Sequence, residues 1–249
     1  MPSVIEPRIL EHEPGDLTCV VESGLRLSRL QAALATHGQR LSLDPPDDPT
    51  VGECLLADLS GPLRHRFGTM RDLVIGVTVV LPDGVRASSG GKVVKNVAGY
   101  DLGKLFCGSR GHLGQVERLA LRLHPLPAAS RTVALDGNRW LELHNSYLVP
   151  SAVDLANGKT YVLFEGAAPS VDRQARTLGG EEVDPWDELR ELQGGLAGRV
   201  RWDGSTVGDT VPLVRPGPRV AYRAEGQAWH PLSERVIGAF AVGEACSQS

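Results

Sequence analysis

Residues 90–114 carry seven glycines in twenty-five positions. Glycine has no Cβ, so its backbone adopts positive φ without strain and lets a large ligand approach closely. The apolar residues Val93, Val94 and Leu102 run through the same stretch, together with the pair 105–106, and a simple surface loop would not need them. The stretch therefore predicts either a main-chain surface for a large ligand or a glycine-rich turn region between strands.

The composition is that of a globular protein of one large domain or two modest ones. The chain has 249 residues, of which 41% are hydrophobic, and a net charge of -4. No long basic run suggests nucleic-acid binding, and the longest apolar segment, 73–81, is too short to be a transmembrane segment. The N-terminal residues show no secretory signal. The four cysteines lack CxxC spacing and the histidines lack HxH or HExxH pairs, so we expect free thiols, no metal site and a cytoplasmic location.

Hydrophobic periodicity and turn residues predict alternating strands and helices. Pro82-Asp83-Gly84 is a hairpin signal between two apolar runs, and the composition shifts after Pro127, which predicts two domains, 1–127 and 128–249. We expect helices over 27–37, 50–57, 100–106 and 170–178. The expected strands cover 17–22, 73–81, 85–88, 116–123, 161–164, 199–202, 211–214 and 220–223.

Two other segments contain small residues in a suggestive order, namely 50–53 (Thr-Val-Gly-Glu) and 59–73. Together with 90–114, they resemble the FAD-binding domain of the PCMH-type flavoproteins of the vanillyl-alcohol oxidase superfamily. The likeness is greatest to the glycolate oxidase FAD-binding subunit and related D-2-hydroxyacid dehydrogenases. It runs from about residue 8 to 127 and continues faintly through 150–155 and 163–166, which look like the family's cap domain.

The resemblance implies an α+β fold. It would be the second half of a PCMH-type FAD-binding domain, with a mixed or antiparallel sheet and helices, followed by a small α+β cap or substrate domain. It also implies FAD as the cofactor, while no catalytic residue is assigned. Its implied FAD-binding positions are Pro46, Thr50, Gly52, Glu53, Ser60, Gly61, Phe67, Gly68, Gly99, Tyr100, Gly111 and Val116.

Most of these positions have an ordinary structural alternative. A helix beginning at Thr50 would offer its amides to the pyrophosphate, or it would simply be a capped helix. Ser60 and Gly61 would bring main chain and a hydroxyl to the ligand, or form a plain turn. Asp101 is interpreted as a brace at a helix start rather than as a catalytic base. His112 stands where the family usually has threonine.

Two departures from the family pattern argue against FAD binding. The sequence has no glycine-rich loop of the GxGT kind, so we expect the N-terminal half that cradles the pyrophosphate to be missing. Glu53 stands where a second glycine is usual, and its carboxylate should repel a phosphate unless it points away. From these departures we expect FAD to bind weakly or not at all.

The resemblance implies an oxidoreductase subunit that oxidises a small 2-hydroxy acid, with hydride transfer to the flavin. Its partners would be a second flavin subunit and an iron–sulfur subunit of a glycolate-oxidase-like complex. The alternative is a truncated, non-catalytic homologue that keeps the fold as an interaction surface or as a partner-completed subunit. A third possibility, an aldonolactone-type or cell-wall sugar oxidoreductase, would differ in the cap domain. The missing loop and Glu53 favour the alternative, whereas intact 99–102 and 108–109 favour ligand contact.

Overall fold

The computed structural model describes residues 6–91, 101–196, 198–201, 213–216 and 220–223. Two of the predicted cofactor-binding residues, Gly99 and Tyr100, lie outside the described residues. In the part of the chain that is described, no helix has the length and apolar character needed to cross a membrane.

The described helices are short. They are a 3-10 turn (Pro14–Asp16) and the α-helices α1 (Leu27–Ala35), α2 (Val51–Leu56), α3 (Arg64–Phe67), α4 (Met70–Leu73), α5 (Leu102–Phe106), α6 (Trp140–His144), α7 (Ala168–Leu178) and α8 (Trp186–Gly194).

The strands divide into an upstream and a downstream group. The upstream strands are β1 (Ile9–Glu13), β2 (Thr18–Glu22), β3 (Gln39–Arg40), β4 (Val74–Val80), β5 (Arg86–Gly90), β6 (Gln115–Arg122) and β7 (His124–Pro125). The downstream strands are β8 (Ala129–Asp136), β9 (Ala152–Ala156), β10 (Lys159–Gly166), β11 (Glu181–Glu182), β12 (Gly198–Arg201), β13 (Leu213–Arg215) and β14 (Val220–Arg223).

The upstream group forms a five-stranded antiparallel sheet in the order β1-β2-β6-β4-β5. Alternate side chains of a strand point to opposite faces, and one face buries Cys19 and Val21 of β2 with Leu119 and Leu121 of β6. Helices α1 and α2 contribute to the same core, where Leu30 is fully buried. Strands β3 and β7 pair separately as a two-stranded sheet.

The downstream group forms a seven-stranded antiparallel sheet in the order β11-β8-β10-β9-β13-β14-β12. Its central strand β9 is buried along its whole length, because helices cover both faces. Val162 packs with Val171 of α7 on one face, and Leu163 packs with Trp186 of α8 on the other. Leu63 from the upstream part joins the α8 face, so the upstream and downstream parts are in direct contact.

The predicted α+β fold with antiparallel sheets is confirmed. Each predicted helix and strand is present, and within the described residues their ends fall within two residues of the expected positions. The hairpin at 82–84 joins β4 and β5. Strands β1, β8 and β9 and helices α3, α4, α6 and α8 were not predicted from the sequence.

Candidate cofactor site

Helix α2 begins with a complete capping box. The Thr50 hydroxyl accepts a hydrogen bond from the Glu53 amide at 3.2 Å, and the Glu53 carboxylate accepts one from the Thr50 amide at 2.6 Å. This reciprocal arrangement is typical of a threonine followed three residues later by glutamate. The Glu53 carboxylate is therefore turned back onto its own helix start.

The other amides in the first turn of α2 also have partners within the chain. Val51 donates to the Leu25 carbonyl at 2.9 Å and Gly52 donates to the Ser23 carbonyl at 2.7 Å. A Cβ on Gly52 would lie 2.9 Å from the Ser23 Cβ, so packing alone requires glycine there. An anion at this helix start would have to displace existing hydrogen bonds.

The segment 58–61 follows α2 and contains two of the predicted site residues. Ser60 is buried; its hydroxyl accepts from Arg64 Nη1 at 3.2 Å and its carbonyl accepts from Gln193 Nε2 at 2.8 Å. Gly61 lies directly against the backbone carbonyl of Asp44, which leaves no room for a Cβ. The close approach at Gly61 is thus made by the protein itself.

The loop 108–114 is held by hydrogen bonds to backbone carbonyls at the C-terminal end of α2. The amides of Gly108 and Arg110 donate to the carbonyls of Leu55 and Leu56 at 2.9 and 2.8 Å. Positive φ recurs along the loop, with values of 77° at Gly108, 52° at Arg110 and 82° at Gly111. A Cβ added at Gly111 would meet no atom of the described residues within 4 Å, so the main chain at Gly111 is open to a ligand on that side.

One buried hydroxyl in this loop has no partner. The Ser109 Oγ makes no hydrogen bond with any residue that the structure describes. A buried polar atom without a partner carries an energetic cost that a bound polar ligand can remove. The open main chain at Gly111 and this unpaired hydroxyl are the features expected of a loop that lies along one side of a nucleotide cofactor such as FAD.

The segment 58–61 and the loop are joined by a side-chain contact. The Cys107 Sγ donates to Asp58 Oδ1 at 3.3 Å. Burial, followed by the nearby Asp58 carboxylate, raises the pKa of the Cys107 thiol above its ordinary range, so the thiol keeps the proton that it donates. Ser60 and Gly111 therefore belong to two connected segments at the same end of α2.

The remaining described positions divide between the core and other surfaces. Val116 is buried in β6 within the same core as α2. The Phe67 ring lies 5.2 Å from the Arg40 guanidinium and 4.7 Å from the His124 ring, at the contact with the downstream sheet. Pro46 lines a cavity of about 570 Å³ with residues of α8.

Gly68 ends α3 with a φ of 81°, and a Cβ there would lie 2.5 Å from Asp72 Oδ2. The structure thus brings together Thr50, Gly52, Glu53, Ser60, Gly61 and Gly111 around α2. It places Pro46, Phe67 and Gly68 elsewhere. Binding of FAD by any of these residues stays a prediction.

Asp101 is confirmed as a helix brace. Its carboxylate accepts from the Lys104 amide at 3.0 Å at the start of α5. Burial acts to raise the pKa of Asp101, but the hydrogen bonds and charge of Lys104 outweigh it and hold the pKa below its usual value. Among the residues described, no three histidine, cysteine or acidic side chains are grouped to bind a metal ion.

Sequence reasoning missed a buried polar network on the α8 face of the downstream sheet. Asp154 and Arg215 are completely buried, and the guanidinium Nε donates to both carboxylate oxygens at 3.0 and 3.2 Å. Burial alone would lower the pKa of Arg215, but the Asp154 carboxylate raises it above its ordinary value. The available signal was an aspartate inside the apolar run 152–156, because a charge buried in a strand needs a partner.

Comparison with known proteins identifies an FAD-binding domain in the upstream part of the chain. Residues 6–88 match the family model described as FAD binding domain. The glycolate oxidase subunit GlcE of Escherichia coli is 34% identical over 197 residues, which are 74% of this chain and 56% of that protein. An uncharacterized FAD-linked oxidoreductase of Mycobacterium tuberculosis is 34% identical over 258 aligned residues, 96% of this chain and 53% of that protein.

Other similarities are narrower. A mitochondrial D-lactate dehydrogenase [cytochrome] of Saccharomyces cerevisiae is 35% identical over 51% of this chain and 22% of that protein. An alkyldihydroxyacetonephosphate synthase structure superposes with a TM-score of 0.60 at 16% identity, covering 76% of this chain and 46% of that one, which bears on the fold alone.

The chain spans about half the length of the glycolate oxidase subunit and of the mycobacterial oxidoreductase. Over that span the motifs, the antiparallel α+β fold and the family match agree with one another. The chain therefore contains an FAD-binding domain over residues 6–88, is similar over most of its length to FAD-linked oxidoreductases, and its cofactor is FAD.

Proposed function

We propose that this chain is a flavoprotein subunit for the oxidation of a small 2-hydroxy acid. Bound FAD would supply the acceptor for the hydride that leaves the substrate Cα. The names of two relatives, a glycolate oxidase subunit and a D-lactate dehydrogenase, support this substrate class. The chain's own residues would bind and orient the cofactor, and no base is assigned.

The observation that carries this proposal is the loop 108–114. Its backbone is shaped by positive φ and is held by the carbonyls of α2, and Gly111 presents main chain to open space. The unpaired Ser109 hydroxyl lies beside it. We propose that this loop lies along the FAD, with Ser109 donating to a polar group of the nucleotide.

We further propose that a partner subunit takes part in binding the phosphates. The first-turn amides of α2 already donate within the chain, and Glu53 occupies the helix start. These contacts support the alternative in which a partner subunit completes the cofactor site. A second flavin subunit and an iron–sulfur subunit, as in a glycolate-oxidase-like complex, are the partners proposed. The division into an FAD-binding domain of 1–127 and a cap domain of 128–249, and the cytoplasmic location, also stay proposals.

The test is retention of flavin and its response to substrate. The whole chain is mixed with FAD, desalted and examined for flavin absorbance, and then glycolate or D-lactate is added without oxygen to look for bleaching. We expect Gly111→Leu to raise the Kd for FAD at least about tenfold, because a side chain would stand where the nucleotide lies.

Gly137→Leu is the matched control, because Gly137 also has positive φ and open space but lies outside the candidate site. Both substitutions carry the same backbone strain, so only the site-specific effect differs. Equal affinity in the two variants would refute the role of the loop. Wild-type chain that retains no FAD alone but retains it with the partner subunits would support the partner-completed site; no retention in either case would favour the non-catalytic homologue.

A further inference from the structure

Arg215 anchors a chain of hydrogen bonds that runs from the downstream sheet to the segment 58–61 of the upstream part. Besides Asp154, the guanidinium meets two uncharged acceptors: its Nη1 donates to Gln193 Oε1 at 2.7 Å and to the Tyr222 hydroxyl at 2.8 Å. Gln193, on α8, then donates from Nε2 to the Ser60 carbonyl at 2.8 Å. The network therefore runs from Asp154 through Arg215 and Gln193 to the main chain at Ser60.

The chemistry of these groups fixes which way the Gln193 amide faces. A guanidinium can only donate hydrogen bonds, so Arg215 must meet the amide oxygen of Gln193. The amide NH₂ group is then directed at the Ser60 carbonyl, which can only accept. Arg215 in turn is held by the two oxygens of Asp154, and all of its side chain is buried.

Further contacts hold the segment 58–61 and its neighbour Leu63. Arg199 of β12 donates to the Asp58 carbonyl at 3.0 Å. The amide of Leu63 donates to the Asp44 carboxylate at 3.1 Å, and Gly61 packs on the Asp44 backbone. The downstream part thus reaches Asp58 and Ser60, while Asp44 of the upstream part holds Gly61 and Leu63.

A buried arginine–aspartate pair is a costly way to gain stability, because well-packed apolar side chains often do as well or better. A fixed donor at a defined position is something that apolar packing does not supply. We propose that Gln193, held by Arg215 and Asp154, is a positioning residue that sets the segment 58–61 and, through the Cys107–Asp58 contact, the loop 108–114 for cofactor binding. This inference rests on the proposed function, and it makes the downstream sheet part of the cofactor site.

Gln193→Glu separates the two contacts of the side chain. Its carboxylate still accepts from Arg215, but it can no longer donate to the Ser60 carbonyl. Gln193→Ala removes both contacts. Gln174→Glu on α7 is the matched control. The Gln174 side chain accepts a hydrogen bond from the Val149 amide, and α7 covers the face of the downstream sheet opposite to α8.

Two readouts are compared in the whole protein: the Kd for FAD, and hydrogen exchange in the peptide 57–64, whose amides at Leu59 and Leu63 are hydrogen-bonded. We expect Gln193→Glu to raise the Kd about five- to tenfold and to speed exchange in that peptide. Gln174→Glu should alter neither.

The outcomes distinguish this inference from the proposed function. If exchange in 57–64 is the same in Gln193→Glu as in wild type, Gln193 does not position the segment and the inference is overturned. If exchange rises but the FAD affinity is unchanged, its cofactor part is overturned. If wild-type protein binds no FAD, either alone or with the partner subunits, the proposed function fails, and the exchange measurement alone still decides whether Gln193 holds the segment.

Discussion

The segment 58–61 and the loop 108–114 both rest on the end of α2, but they are held in different ways. The first is buried and is fixed by side chains from the downstream sheet, including Gln193 and Arg199. The second is held by main-chain hydrogen bonds to α2 and leaves Gly111 facing open space. The comparison shows that a glycine can serve the protein's own packing in one segment and leave room for a ligand in its neighbour.

The largest expected effect comes from removing the distant support of the first segment. Arg215→Met leaves Asp154 buried without its cationic partner, and we expect the free energy of unfolding to fall by about 3–5 kcal/mol. Chemical denaturation measures the change.

The control for this prediction is the double variant Arg215→Met/Asp154→Leu. It removes both charges and should recover much of the lost stability. A single variant as stable as wild type would show that the network does not support the segment. The comparison between the two regions would then lose its energetic basis.

A glycine-to-alanine pair tests the comparison directly. In Gly61→Ala the new Cβ would collide with the Asp44 carbonyl, and we expect a loss of about 2–3 kcal/mol. Gly15→Ala is the control, because a Cβ there meets nothing within 4 Å and the backbone has ordinary φ. Thermal unfolding of both variants gives the result, and equal midpoints would contradict close packing at Gly61.

A further expected effect is a dependence of stability on pH. Burial raises the pKa of Asp44 to about 7, although Arg215, the Leu63 amide and Arg190 all act to lower it. The folded state then keeps a proton that the unfolded state releases near the ordinary value of 3.8. Stability should therefore fall as the pH rises from about 4 to 7 and level off above it.

Asp44→Asn removes this titration while keeping an oxygen that can accept from Leu63. We expect it to be more stable than wild type by up to about 4 kcal/mol at pH 8, with the difference vanishing near pH 4. Urea denaturation of both proteins across this range measures it. A constant difference between the two at every pH would show that Asp44 has an ordinary pKa in the folded protein.

Several elements could be predicted because their signals are local. Thr50 followed by Glu53 encodes a capping box, and Pro82-Asp83-Gly84 encodes the hairpin between β4 and β5. The family resemblance reached the FAD-binding domain through short motifs in the right order. By contrast, β9 was missed because its fully buried residues do not alternate with polar ones, so no strand periodicity shows.

Partners that are distant in sequence could not be predicted. The residue that meets Ser60 is Gln193, 133 positions away, and the one that meets Asp154 is Arg215, 61 positions away. Nothing in the neighbourhood of Gln193 distinguishes it from any other polar residue of a helix. The carboxylate of Glu53 was expected near a phosphate, and only its hydrogen bond to Thr50 revealed where it points.

The sequence by itself determined helices α1, α2, α5 and α7, the hairpin turn and the resemblance to FAD-binding proteins, since caps, hairpin residues and motif order act over a few neighbouring positions. Only the tertiary structure decided which glycines are filled by the protein's own atoms and which leave room for a ligand. That distinction depends on what lies opposite the missing Cβ. At Gly61 it is the Asp44 backbone, and at Gly111 it is open space.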